Sequence, residues 1–330
     1  MTRYTSDDIR GVVAILPTPA LPGADRWDSA DTVDLAETER MTEAMVSAGV
    51  DVIMTNGTFG EGASLTLAEV LAFNDAVVQT VSGRVPVFAG ATTLNTRDTI
   101  ERGRRLADLG ADGLFLGRPM WVALDGAQIV AFHAAIAEAL PGQSQVVYDN
   151  PSAFKGKIAS EVYAQLARIP QIVAAKHMGL SLMGDRFVAD LAAVAGRIRL
   201  LALADDWLAS ARRFPDEVLA CWSGDAACGP APLLALRDAI AARRWEDAQG
   251  VSDDIAGALE TLFPGGSFEE FSRYNIQIDR AEFEAAGWIR PGPTRPPYTT
   301  APEEYLDGGR KAGRRWAALQ QRYSSIDVSS

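Results

Sequence analysis

A scarce lysine, a tyrosine, a glycine-flanked threonine and a set of large aromatic rings are the residues here whose types and spacing could do chemistry. Of the 31 Lys and Arg residues, four are lysine, and Lys176 alone closes an apolar run, Ile172-Val173-Ala174-Ala175. Burial disfavours an ammonium and lowers the lysine pKa, and an unprotonated amine is what attack on a ketone to form a Schiff base requires. The same position also suits a lysine whose stem lies on apolar surface with its head in solvent. Tyr148 ends the preceding apolar run, where a phenol could carry protons for an imine, or simply be a core ring with its hydroxyl satisfied. In Gly57-Thr58-Phe59-Gly60-Glu61, backbone N–H groups and the Thr58 hydroxyl could hold an anion such as a carboxylate. Glu61 reads as a capping or pairing residue for the helix that follows. Phe59, Trp121, Trp207 and Trp222 follow or end apolar runs, and together they suggest an aromatic or elongated apolar substrate. The two histidines, His133 and His177, and the two cysteines, Cys221 and Cys228, lack metal-ligand spacing, so no metal site is expected.

These residues need elements to position them. Short continuous apolar runs are predicted as strands at Gly11–Leu16, Val50–Thr55, Val85–Gly90, Asp112–Gly117, Gln145–Asp149, Ile172–Lys176, Ile198–Ala204 and Glu217–Trp222. They recur about every 29 residues and alternate with helix-like segments. Thr66 and Glu69 have capping-box spacing, and Val162, Leu166 and Ile169 share one helix face. Ala48–Gly57 echoes Leu109–Arg118, each giving a helix end, a glycine, an aspartate and a strand. Eight such units predict an α/β fold, a (β/α)8 TIM barrel over residues 1–240, with helices at 241–263, 279–288 and 303–323 forming a C-terminal extension over 241–330. A doubly wound sheet is the alternative, but no GxGxxG fingerprint is present. In such a barrel the active site lies at the C-terminal strand ends. That adds Asn150 (in Tyr148-Asp149-Asn150-Pro151) and Ser223 (in Trp222-Ser223-Gly224-Asp225) to Gly57, Phe59, Trp121 and Trp222 as substrate-binding candidates.

A net charge of −12 without a basic block argues against nucleic-acid and anionic-membrane partners. No apolar run approaches the ~20 residues of a membrane span, and the opening MTRYTSDDIR lacks a secretory apolar segment. A reduced, cytoplasmic protein is expected.

The Gly57–Glu61 loop, Tyr148 and Lys176, in that order on strands two, five and six, resemble the Schiff-base-forming superfamily of dihydrodipicolinate synthase and N-acetylneuraminate lyase. The resemblance covers nearly the whole chain. It implies Lys176 as nucleophile, Tyr148 and Thr58 as its catalytic partners, no cofactor beyond the lysine itself, and a homotetramer. Two departures narrow it: Phe59 replaces a second loop hydroxyl, and Ala153-Phe154 stand where the synthases carry an arginine for a second carboxylate. Gly57-Thr58-Phe59-Gly60-Glu61, Arg118-Pro119-Met120-Trp121, Ser152-Ala153-Phe154 and Phe271–Ile276 are similar to the hydratase-aldolases of polycyclic aromatic catabolism. That branch cleaves trans-o-hydroxybenzylidenepyruvate or trans-2′-carboxybenzalpyruvate to an aromatic aldehyde and pyruvate. It also implies Trp222 and Asn275 at the substrate, while Arg118 and Arg273 are candidates to meet a second carboxylate. The competing expectations are a class I aldolase or dehydratase taking an aliphatic 2-oxo acid, and a non-catalytic binding barrel.

Overall fold

Each predicted apolar run forms a strand. A computed structural model describes residues 4–325, so the outer ends of the two expected segments, residues 1–3 and 326–330, lie outside it. The strands are β1 (Gly11–Ile15), β2 (Val52–Met54), β3 (Val87–Gly90), β4 (Gly113–Leu116), β5 (Ser144–Tyr148), β6 (Ile172–Lys176), β7 (Arg199–Leu203) and β8 (Ala220–Ser223). They close into a barrel in sequential order, with β2 through β8 paired in parallel. The expected TIM barrel is thus observed. Every residue of β1 to β6 is buried, which is why the strands read as unbroken apolar runs rather than alternating ones.

Contacts divide the chain into two compact units. The first runs to Val13 and adds Asp51–Met54 and Pro86–Trp222; the second holds Ala14–Val50, Thr55–Val85 and everything from Ser223 onward. The internal echo has a physical meaning. Gly49 and Gly110 both adopt φ +98°, a left-handed conformation that a side chain would penalise. The aspartates that follow then do the same work. Asp51 accepts the Val12 N–H at 2.8 Å, and Asp112 accepts the Val87 N–H at 3.0 Å, each closing the start of a neighbouring strand.

The helix Ser160–Leu166 buries Val162 and Leu166, but it ends before Ile169, which sits half-buried in the turn beyond. His133 lies on the helix Gly126–Ala139 and faces Gln145 of β5, with Nδ1 3.1 Å from Oε1. His177, just past β6, has Nε2 3.1 Å from Asp190.

In the second unit, Thr66 and Glu69 form the predicted capping box at the start of the helix Leu67–Val81. Beyond residue 240 the structure is helical, at Trp245–Leu259, Phe268–Arg273, Asn275–Ala286 and Glu303–Ser324. Arg290–Pro297 forms neither helix nor strand. Among the described residues no helix is long and apolar enough to cross a membrane.

Burial pushes the His133 imidazole down to about 4 from an ordinary 6.5. A buried base with a depressed pKa stabilises the fold above its unfolded value and withdraws that support as pH falls through the folded one. Between pH 6.5 and 4 the loss from this residue is about 3 kcal/mol. We expect the urea midpoint to decline steeply over that window in the parent and to decline much less in His133→Gln. Equal slopes would refute the assignment.

Candidate active site

Lys176 is the last residue of β6, and the β5–β6 register pairs it with Tyr148, the last residue of β5. Both are buried, at 8% and 6% exposure, so Lys176 is not the solvent-facing lysine its sequence position also allowed. Its amine lies 5.0 Å from the centre of the Tyr148 ring and 3.1 Å from the centre of the Trp222 ring. Trp222, in β8, is held there by its indole N–H, which donates to the His177 carbonyl at 2.5 Å. The peptide immediately after the lysine therefore fixes the ring that covers it.

Tyr148 is boxed by aromatic contacts. Phe115 of β4 stacks on it at 4.5 Å, and Phe154 meets it edge-on at 5.2 Å. Phe154 in turn fills the space over Gly117, where any Cβ would fall 2.0 Å from its ring. Between them comes Asp149, 2% exposed, which accepts from Lys157 Nζ at 2.5 Å and from the Tyr163 hydroxyl at 2.9 Å. Asn150 turns its amide toward the tyrosine, with Nδ2 3.2 Å from the phenol oxygen.

The other candidates of this unit are placed differently. Trp207 is 1% exposed, with its indole N–H donated to the Val218 carbonyl, so it is a core ring and not part of a mouth. Although it follows an apolar run, it opens the helix Trp207–Arg213. Trp121 is 79% exposed, with its carbonyl accepting from Lys155. Arg118 is buried against Asp149 and the Gly156 carbonyl. In the second unit, Arg273 pairs with Glu269 and Glu270 on its own helix. Both arginines are thus committed to groups of the protein.

In the second unit, Gly57 is buried and Thr58 half-buried, in a run of turns bounded by two left-handed residues, Asn56 at φ +49° and Glu61 at φ +56°. Such a conformation costs a residue with a side chain about 1–2 kcal/mol, so each needs an anchor. Asn74, itself bonded to Thr55, donates to Asn56 Oδ1 at 2.6 Å. Glu61 does not pair at the following helix, whose start is already capped. Its carboxylate instead takes the guanidiniums of Arg280 and Arg295 and the Arg295 backbone N–H. Arg295 also donates to Thr32 Oγ1 and to the carbonyls of Thr18, Pro19 and Thr32.

Phe59 packs edge-on to Phe283 at 5.8 Å, and its ring lies so close to Gly224 that a Cβ there would sit 2.9 Å from Cζ. Ser223 donates its hydroxyl to Asp225, and Asn275 donates its amide to Asp279. Sequence reading missed the acids on this scaffold. Burial raises Asp225 above the ordinary carboxyl range and raises Glu282 well above it, and neither Glu282 oxygen has a hydrogen-bond partner among the described residues. A buried acid has no short-range sequence signature, and Glu282 looks like any glutamate on a helix.

The sequence profile of the dihydrodipicolinate synthetase family matches residues 18–210. The chain belongs to that family. It is 60% identical over 319 residues, 97% of this chain and 96% of the relative, to trans-2′-carboxybenzalpyruvate hydratase-aldolase of Nocardioides sp. (strain KP7). It is 44% identical over 328 residues, 98% of this chain and 97% of the relative, to trans-O-hydroxybenzylidenepyruvate hydratase-aldolase of Pseudomonas aeruginosa. A solved structure described as "PhdJ bound to substrate intermediate" superposes with a TM-score of 0.97 at 62% identity, covering 98% of this chain and 100% of that one.

Removing one partner from a buried charge network strands the others, at about 3–5 kcal/mol, while an exposed pair is worth about 0–1 kcal/mol. Glu61→Gln should therefore lower the free energy of urea unfolding by about 3 kcal/mol. Glu269→Gln, at an exposed pair, should change it by under about 1 kcal/mol. Equal effects would show that the Glu61 network does no anchoring.

Proposed function

We infer that this protein is a hydratase-aldolase, a carbon–carbon lyase that converts an arylidene-pyruvate and water to an aromatic aldehyde and pyruvate. The observation that carries the reading is the buried Lys176 amine, set between the rings of Tyr148 and Trp222. The near-full-length likeness to relatives named for this activity supports it.

The Lys176 amine adds to the C2 ketone and water leaves, giving an iminium conjugated to the aryl-bearing double bond. The iminium withdraws electrons from the benzylic carbon, so water adds across the double bond, its hydroxyl to the benzylic carbon and a proton to C3, which restores the iminium. Tyr148 removes the proton of the new hydroxyl, and the adjacent C–C bond breaks to release the aldehyde. The bonding pair passes into the iminium, forming a pyruvate enamine. Protonation at C3 and hydrolysis then free pyruvate and the amine, with one water consumed overall. Thr58 and the loop from Gly57 hold the keto-acid carboxylate. The lysine is the electron sink, so the reaction as written calls on no dissociable cofactor and no metal.

Aromatic side chains form much of the surroundings. Trp222 covers the amine, and Ala153 and Phe154 stand where a carboxylate-binding arginine would serve an aliphatic dicarboxylate. Phe59, Trp121, Asn275 and Ser223 are assigned to the aryl end of the substrate. We assign trans-2′-carboxybenzalpyruvate as the preferred compound, because the relative at 60% identity bears its name and the one at 44% bears that of the hydroxy compound. The family resemblance adds a homotetramer to the proposal, to be checked by light scattering, and composition adds a cytoplasmic location.

Pyruvate with borohydride should add a reduced pyruvyl group at Lys176, located by peptide mapping. Lys176→Ala should abolish the adduct and lower kcat about 10⁴-fold or more. An ultraviolet assay should give a higher kcat/KM on the carboxy than on the hydroxy compound. An adduct at another residue, or full turnover in the alanine variant, overturns the reading.

A further inference from the structure

Asn150 stands at a strand end, where a polar side chain is expected to meet substrate, yet its side chain is already spoken for at both ends. Its Oδ1 accepts the backbone N–H groups of Ser152 and Ala153, both at 3.1 Å. Two N–H donors on one side fix the amide's orientation, because only the carbonyl oxygen can accept them. The NH2 group is thereby aimed at the phenol oxygen of Tyr148, 3.2 Å away. The turn that holds Asn150 is itself pinned: Asp149, one residue earlier, is buried and takes Lys157, the Tyr163 hydroxyl and the Ile158 N–H.

We propose that Asn150 is a positioning residue for the proton on Tyr148, and not a substrate contact. An amide donor occupies one lone pair of the phenol oxygen. The phenol's own proton must then point elsewhere, and the oxygen is supported as that proton leaves. The Lys176 amine lies 5.0 Å from the centre of the phenol ring, and Arg118, paired with Asp149, lies over the ring of Phe154. The Asn150 amide donates to the phenol oxygen directly. This assignment rests on the Schiff-base reading above and names the group that lets Tyr148 move protons in it.

The test separates imine formation from proton transfer. Pyruvate is incubated with the parent, Asn150→Ala and Asn150→Asp proteins. The extent of borohydride trapping at Lys176 reports the imine, and exchange of the pyruvate methyl protons in D2O, followed by NMR, reports enamine formation. The aspartate variant keeps the acceptor that the Ser152 and Ala153 N–H groups need, so its turn is preserved even if the alanine variant fails to fold. We expect trapping within twofold of the parent in both variants. Methyl exchange should slow about tenfold in Asn150→Ala, and more in Asn150→Asp, because a carboxylate accepts the phenol proton instead of supporting its departure. Exchange within twofold of the parent in the aspartate variant, or trapping that falls in step with exchange, overturns the assignment. A parent protein that gives no adduct at Lys176 overturns the activity itself, and this assignment with it.

Discussion

The hydrogen bond from the Trp222 indole to the His177 carbonyl is the constraint on which the surroundings of the amine depend. An indole buried in a barrel needs an acceptor for its N–H, and the carbonyls within a parallel ladder are already used. The first carbonyl past Lys176 meets that need. Satisfying it lays the face of the indole across the amine at 3.1 Å. The β5–β6 register then sets Tyr148 beside the lysine. The amine is seated by main-chain geometry and one side-chain donor, and aromatic area shields it from bulk solvent.

The segment after β5 shows how consecutive residues take separate duties when the chain leaves a sheet. Tyr148 faces the amine, Asp149 ties the exit loop to Lys157, Tyr163 and Arg118, and Asn150 turns back to the phenol. Phe154 completes the box around the tyrosine, and Gly117 leaves the space it needs.

The barrel was legible because strands buried on both faces appear as unbroken apolar runs, and all eight such runs are strands. Lys176 and Tyr148 were legible for the same reason: each ends a run, and the parallel register makes neighbours of residues at matching ends. Side-chain direction was harder to read. Trp207 and Trp222 look alike in sequence, yet one begins a helix and turns into the core while the other belongs to a strand. The helix carrying Val162 stops short of Ile169, since periodicity alone does not say where the chain turns. The partners of Glu61 were beyond reach, because Arg280 and Arg295 lie more than two hundred residues away and nothing local marks them among 27 arginines.

That separation bears on how the molecule comes into being. On the ribosome Glu61 emerges 234 residues before the backbone N–H of Arg295 that it finally holds. Until then its carboxylate has no buried counter-charge and must stay hydrated, leaving the turns between Asn56 and Glu61 without one of their two anchors. The nascent chain can assemble its strands long before this corner is dry. Closing it waits until Arg280 and Arg295 have been synthesised, so a polypeptide released before them would keep a wetted gap where the enzyme has a fixed loop.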